Sequence, residues 1–177
     1  MKFEKALKGR RSIRKFKEKK LSKNSLGSIL DAARYAPSAG NLQNWRFIVV
    51  EDEKTKEKIA KACLGQKWMV RAGALVIACS DDSDVKRIYG NKSDFYGRQN
   101  CAAAVQNMLL KAYSIGMSSC WVGAFNEDDI KNALKIPGDI KIEAVLCFGH
   151  SDEKPNMPKR TDLRNLVHFE EWGNMMK

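Results

Sequence analysis

Histidine is nearly missing from this 177-residue chain: His150 and His168 are the only two, neither at metal-ligand spacing from other donors, so no protein-held metal is expected. There is no Gly-x-Gly-x-x-Gly and no P-loop, which removes two common nucleotide-binding motifs. No apolar run approaches the ~20 residues needed to span a bilayer. The start, Met1-Lys2-Phe3-Glu4-Lys5, lacks the apolar core of a signal peptide, so the expectation is a soluble, cytoplasmic protein without membrane contact. Paired cysteine motifs are also lacking. The five cysteines, Cys63, Cys79, Cys101, Cys120 and Cys147, are odd in number, form no Cys-x-x-Cys, and mostly sit in apolar runs as small hydrophobes do, which points to a reduced, intracellular chain.

What is present is one domain's worth of sequence, residues 1–177, with 44% apolar content to build a core. The formal net charge of +11 admits a nucleic-acid or membrane surface, or a basic background that helps hold a phosphorylated small molecule. The second is favoured. Lysines are scattered over what read as exposed helix faces, as in Glu53-Lys54-Thr55-Lys56-Glu57-Lys58, with no interleaved aromatics to make a groove-binding stripe, so no nucleic-acid partner is expected.

In chain order, Phe3 to Lys8 forms a short helix stopped by Gly9. Arg10 to Phe16 alternates cationic and apolar residues. If extended, Arg10, Ser12 and Arg14 share a face, and guanidinium groups beside a hydroxyl match a phosphate, although such a segment taken alone is more often plain solvated charge. Ser22 caps a helix running to about Ala36, Phe47 to Glu51 is a strand, and Asp52 caps a helix with Ile59, Ala60 and Cys63 inward. Gln66 and Trp68 follow in a short connection, Trp68 being read as core. Ala74 to Cys79 is a continuous apolar strand, covered on both faces. Ser80 to Gly97 is polar and longer than most connections: a lid, a partner contact or a plain surface loop. Arg98 to Ile115 is the longest clean helix, with Ala102, Val105, Met108, Leu109 and Ala112 on one side; it is central, or packs on its copy in a dimer. Ser118 to Ala124 is a short strand entering a turn at Gly123, Asn126 caps another helix, and Ile142 to Phe148 is the last internal strand. Cys120 lacks a local cation or His to activate it and reads as a buried thiol. The tail beyond His150 ends in Leu163, Leu166, Val167, Phe169 and Trp172, too apolar to be left in water. It wraps its own domain or a second subunit.

Between the first long helix and the first strand lies Ala36-Pro37-Ser38-Ala39-Gly40-Asn41-Leu42-Gln43-Asn44-Trp45, too rich in turn formers to belong to either. Small residues permit close approach of the main chain, and Asn41 and Gln43 offer amides beside an indole, so the stretch is either a pocket wall for a flat ligand or an ordinary loop with a Trp anchor.

Three separated pieces, Arg10-Arg11-Ser12-Ile13-Arg14, Pro37 to Trp45, and Gly116-Met117-Ser118-Ser119-Cys120-Trp121-Val122-Gly123, together resemble the FMN-dependent nitroreductase family, from about Gly9 to Gly173. The resemblance implies an α+β fold with a central mixed or antiparallel sheet flanked by helices. It also implies a homodimer with two FMN sites shared at the interface, and residues 150–177 wrapping the partner. By position it assigns Arg10, Arg11, Ser12 and Arg160 to the phosphate, with Arg14 and Lys159 nearer the ribityl chain and ring. Pro37, Ser38, Ala39 and Asn41 would come from the other subunit, Val122 and Gly123 would present backbone N–H groups near flavin N5, and Gln66 would be a further contact. The activity implied is ping-pong hydride transfer from NADH or NADPH through FMN to a nitroaromatic, quinone or similar flat acceptor, with no protein group as named catalyst. Rivals are a member specialised for dehalogenation or flavin modification, and a flavin-binding regulator without turnover. The sequence departs from the family pattern at Asn44, where proline is common, and at Asn100, where an acidic residue is.

Overall fold

The computed structural model describes residues 2–176. Among these residues four strands, β1 (Trp45–Val50), β2 (Ala74–Ser80), β3 (Ser118–Val122) and β4 (Lys141–Gly149), form one sheet in the order β1-β2-β4-β3, each neighbouring pair antiparallel. The choice between mixed and antiparallel thus falls to antiparallel. Among the described residues six α-helices accompany it: α1 (Phe3–Gly9), α2 (Lys23–Ala33), α3 (Glu53–Ala62), α4 (Ser83–Tyr89), α5 (Ser93–Ser114) and α6 (Glu127–Leu134).

Every residue of β2 is buried, as a continuous apolar run requires when both faces are covered. Its side chains alternate between two cores. Leu75, Ile77 and Cys79 join Ile59 of α3 and Ile130 of α6, while Ala74, Val76 and Ala78 join Ile29 of α2 and Val105 and Met108 of α5. The anticipated caps form: the side chains of Ser22, Asp52 and Asn126 accept from the backbone N–H groups of Ser25, Thr55 and Asp129. Each cap stabilises its helix by roughly 1 kcal/mol. Helix α2 ends at Ala33, and a turn through Ala36 precedes Pro37, because the residue before a proline avoids helical geometry.

Three expectations are corrected. Ser80 to Gly97 is helical rather than a long open connection. It holds α4, a short turn at Gly90–Lys92 and the first turn of α5, secured by fully buried Val85 and by Tyr89 and Tyr96, whose rings lie 4.8 Å apart. Lys56, read as solvated, is buried, its Nζ donating to the carbonyls of Val70 at 2.8 Å and Ala72 at 3.0 Å. Ala102 is exposed, and it is Ala104 that turns inward. The tail joins neither core. Leu163, Leu166, Phe169 and Trp172 all stand in solvent, Trp172 being 92% exposed, so within one chain the tail does not wrap its own domain. Among the described residues no helix is long and apolar enough to cross a membrane.

Candidate functional site

Beyond α1 the chain runs extended along the outer edge of β3. Gly9 is needed at the start, because a Cβ there would collide with the Tyr113 hydroxyl. Ile13 is buried and its neighbours Ser12 and Arg14 are exposed, as alternation predicts, whereas Phe16, three residues after Ile13, is buried too and breaks that period. The main chain is held at Ile13, whose N–H donates to the Ser119 carbonyl at 2.9 Å, and by a parallel bridge from Ser12 to Ser119. The parallel direction carries Ser12 to Arg14 the same way that β3 runs from Ser119 to Val122. Val122 is buried and Gly123, which follows, is exposed, and a Cβ there would meet Trp121 Nε1 at 3.8 Å in ordinary contact.

The other side of this segment is closed by the start of the tail. Glu153 Oε2 accepts from the backbone N–H groups of Arg14 and Lys15 at 3.1 and 3.0 Å, and Lys17 N–H donates to the His150 carbonyl at 2.8 Å. Glu153 is the residue that sequence reasoning missed. It sits in a polar stretch with no periodic signal, and its role exists only through a partner 139 positions away. The clamp returns the far end of the chain to its beginning. Arg160 comes close enough to influence Arg10, whose pKa is lowered by burial first, then by the positive charges of Arg160 and Arg11.

Three like charges therefore gather, and Glu153, which borders them, turns its Oε2 to the backbone of Arg14 and Lys15. Among the described residues, Arg10, Arg11, Arg14, Lys159 and Arg160 make no salt bridge. The Arg11 Nη1 donates to the carbonyls of Lys8 and Arg10, both at 2.7 Å, but its buried Nε has no partner. A donor stripped of water and left unpaired costs about 1–3 kcal/mol, a cost that an incoming anion removes. A cavity of about 390 Å³ opens here, lined by Arg10, Arg11, Tyr113, Ser118, Ser119 and Glu153 among others.

Arg14 reaches a second, larger cleft of about 840 Å³, where it lies 6.0 Å from the Trp68 ring. Trp68 is half-buried, stacked 6.2 Å from Phe16, so it is at once part of the core and a wall of the cleft. Gln66 turns aside, its Nε2 donating to the Cys63 carbonyl at 3.0 Å. Cys120 lies beneath the cationic segment; burial raises its pKa, and Arg14, a Ser12 hydrogen bond and Arg10 pull in the opposite direction without prevailing. A thiol held protonated in this way is no nucleophile. Among the described residues no group of His, Cys, Asp or Glu is placed to hold a metal.

Pro37, Ser38, Ala39 and Asn41 lie elsewhere. Their loop is anchored through Ala36 and Trp45 to the core on the opposite sheet face from Ile13 and Phe16. Pro37 and Asn41 are exposed, and Ala39–Asn41 forms a single turn with Gly40 and Asn41 at φ 57° and 55°. One chain thus joins Arg10, Arg11, Ser12, Arg14 and Arg160, with exposed Lys159 next to the last. It leaves the Pro37–Asn41 group apart. The two departures from the family pattern meet: Asn100 Nδ2 donates to Asn44 Oδ1 at 2.7 Å.

A four-stranded antiparallel sheet flanked by helices matches the fold of solved nitroreductases. Nitroreductase A from Vibrio parahaemolyticus superposes with a TM-score of 0.88 at 26% identity, over 97% of this chain and 77% of that one. An FMN-dependent nitroreductase from Clostridium difficile gives 0.80 at 27%, over 94% and 98%. In sequence, an Archaeoglobus fulgidus protein named NADH dehydrogenase/NAD(P)H nitroreductase is 33% identical, over 92% of this chain and 94% of its own. The Nitroreductase family model matches residues 7–81 and 62–150, and the chain belongs to that family.

Proposed function

We propose that this protein is an FMN-dependent NAD(P)H oxidoreductase of the nitroreductase type, working as a homodimer in the cytoplasm on a nitroaromatic, quinone or similar flat acceptor. The observation that carries the reading is the cation cluster: Arg10, Arg11 and Arg160, drawn from the two ends of the chain, make no salt bridge among the described residues, and Arg11 keeps a buried N–H unpaired. A phosphate monoester is the right size and charge to satisfy such a cluster through charge-assisted bonds. The names of the C. difficile structure and the A. fulgidus relative support FMN as the cofactor and NAD(P)H as the donor.

When bound, FMN supplies the hydride chemistry, and the protein supplies binding, orientation and electrostatics. Arg10, Arg11, Ser12 and Arg160 hold the phosphate. Arg14, its backbone fixed by Glu153, and Lys159 place positive charge near the ring system, where it favours accumulation of electrons. Val122 and Gly123 offer backbone N–H groups at an open edge, and Gln66 would have to give up its bond to the Cys63 carbonyl to donate a further contact. Pro37, Ser38, Ala39 and Asn41 form a wall for the site of the neighbouring subunit, and residues 150–177 of the one domain extend over that neighbour.

The test begins with colour. Protein purified with added FMN is yellow and bleaches anaerobically with NADH or NADPH, and two-substrate kinetics with a quinone give parallel double-reciprocal lines. Arg11→Ala and Arg160→Ala each weaken FMN binding by about 2 kcal/mol, close to thirtyfold in dissociation constant, without unfolding the chain. Unchanged FMN affinity in both variants refutes the phosphate assignment, and a protein that does not retain FMN at all refutes the function.

A further inference from the structure

At the end of the sheet where β1 begins and β2 ends, a chain of side-chain amides is buried. Asn44 and Asn100 are 2% and 4% exposed. Asn100 Oδ1 accepts from the Ala39 N–H at 2.9 Å, Asn100 Nδ2 donates to Asn44 Oδ1 at 2.7 Å, and Asn44 Nδ2 donates to Asp82 Oδ1 at 2.9 Å. The Asn44 carbonyl accepts from Asp81 N–H at 2.9 Å, which ties the same residue to the end of β2, and Lys141 Nζ lies 3.4 Å from Asp82 Oδ2.

A primary amide has a donor end and an acceptor end, so such a chain has a direction. A carboxylate only accepts. Asp82 therefore turns Asn44 Nδ2 toward itself, which leaves Asn44 Oδ1 for Asn100. Asn100 must answer with Nδ2, and its remaining Oδ1 is then presented to Ala39. The backbone so held is unusual: Gly40, Asn41 and Gln43 have φ of 57°, 55° and 47°, and the last two are in a region that residues with a side chain seldom adopt. Such conformations persist only where surrounding contacts over-determine them. Ser38 Oγ, accepting from Gln43 N–H at 3.1 Å, closes the turn from within, and the amide chain fixes it from outside.

We infer that Asn44 and Asn100 are positioning residues, a directed relay from Asp82 that clamps Ala39 and thereby sets the Pro37–Asn41 wall. The service to FMN rests on the function proposed above; the clamp on Ala39 does not.

Amide hydrogen exchange of Ala39 followed by NMR, without flavin, tests the clamp, and FMN titration of the dimer tests its use. Asn100→Ala removes the acceptor, and Ala39 exchange rises at least about tenfold. Asn44→Ala, which never touches Ala39, speeds the same amide, and the double variant is no faster than the quicker single one. FMN dissociation constants rise about tenfold in both, with an altered visible circular dichroism of the bound flavin, while exchange in β2 stays at the wild-type rate. Unchanged Ala39 exchange in Asn44→Ala overturns the relay, and that variant decides alone if Asn100→Ala does not fold. Loosened Ala39 with unaltered FMN affinity and dichroism overturns the service to the cofactor. A wild-type protein that fails to bind FMN instead sinks the proposed function and leaves the clamp to be judged by exchange.

Discussion

Lys56 shows how one side chain can escape a correct charge pattern. It lies in Glu53-Lys54-Thr55-Lys56-Glu57-Lys58, whose other charges are solvated, and only folding brings Val70 and Ala72 within reach of its ammonium. Both are in or beside the turn Lys67–Arg71 that carries Trp68 to the cleft. Lys56→Met keeps the stem and removes the donors, so urea unfolding shows a loss of about 2 kcal/mol. Glu143 is the converse case, a carboxylate taken inward by a bulge: Ala78 pairs with Ala144 and Cys79 with Ile142, which leaves Glu143 as the extra residue of β4. Burial raises its pKa against the Ser80 hydroxyl bond at 2.9 Å and the charge of Arg98, with Asp82 adding to the rise. The folded state then holds the proton longer than the unfolded one. Stability attributable to this group is thus present at low pH and lost as pH climbs from the ordinary carboxylate range through the raised value. Asp52, Asp81 and Asp94 are shifted downward and oppose it, so the measurement is a difference: in a urea series over pH, Glu143→Gln gains on the wild type as pH rises through that window.

At the level of elements, α5 was legible in its apolar period from Arg98 onward, but it starts at Ser93. Its first turn and all of α4 were hidden because Gly90 and Gly97 stand where a helix pattern normally ends. Gly90 does interrupt, at φ 54°; Gly97 does not, and is small for another reason. A Cβ on Gly97 would run into the Asp82 carboxylate. Glycine inside a helix ordinarily costs about 1 kcal/mol relative to alanine, so replacement should stabilise. Here Gly97→Ala lowers the urea midpoint instead, since it displaces the group from which the Asn44–Asn100 chain takes its direction. A raised midpoint would mean that Asp82 moves freely. The caps at Ser22, Asp52 and Asn126 were readable because their bonds reach only three residues, whereas the Glu153 clamp and the Lys56 contacts span distances that no local window contains.

Across the whole molecule the same division holds. The family resemblance carried by three separated motifs implied the fold and named the residues of the guanidinium cluster, while composition bounded only the size and charge of the domain. They did not give the way in which the chain's two ends are fastened, nor why the tail's apolar side chains stay outside. Leu163, Leu166, Phe169 and Trp172 together expose more apolar surface than a solitary chain would leave to water, and Ala102 on the outer side of α5 adds to it. The second copy proposed above would cover both. Ending the chain after Gly149 removes Arg160 and the Glu153 clamp as well as the apolar tail, so it lowers FMN binding by two routes and abolishes the dimer by a third. Full-length Arg160→Ala separates them: it stays dimeric in analytical ultracentrifugation and loses only cofactor affinity. Full-length Glu153→Gln keeps the dimer too, and by loosening the Arg14 and Lys15 backbone weakens FMN less than Arg160→Ala does, by about 1 kcal/mol. A truncated protein that sediments as a flavin-loaded monomer would contradict the shared site and confine every cofactor contact to one chain.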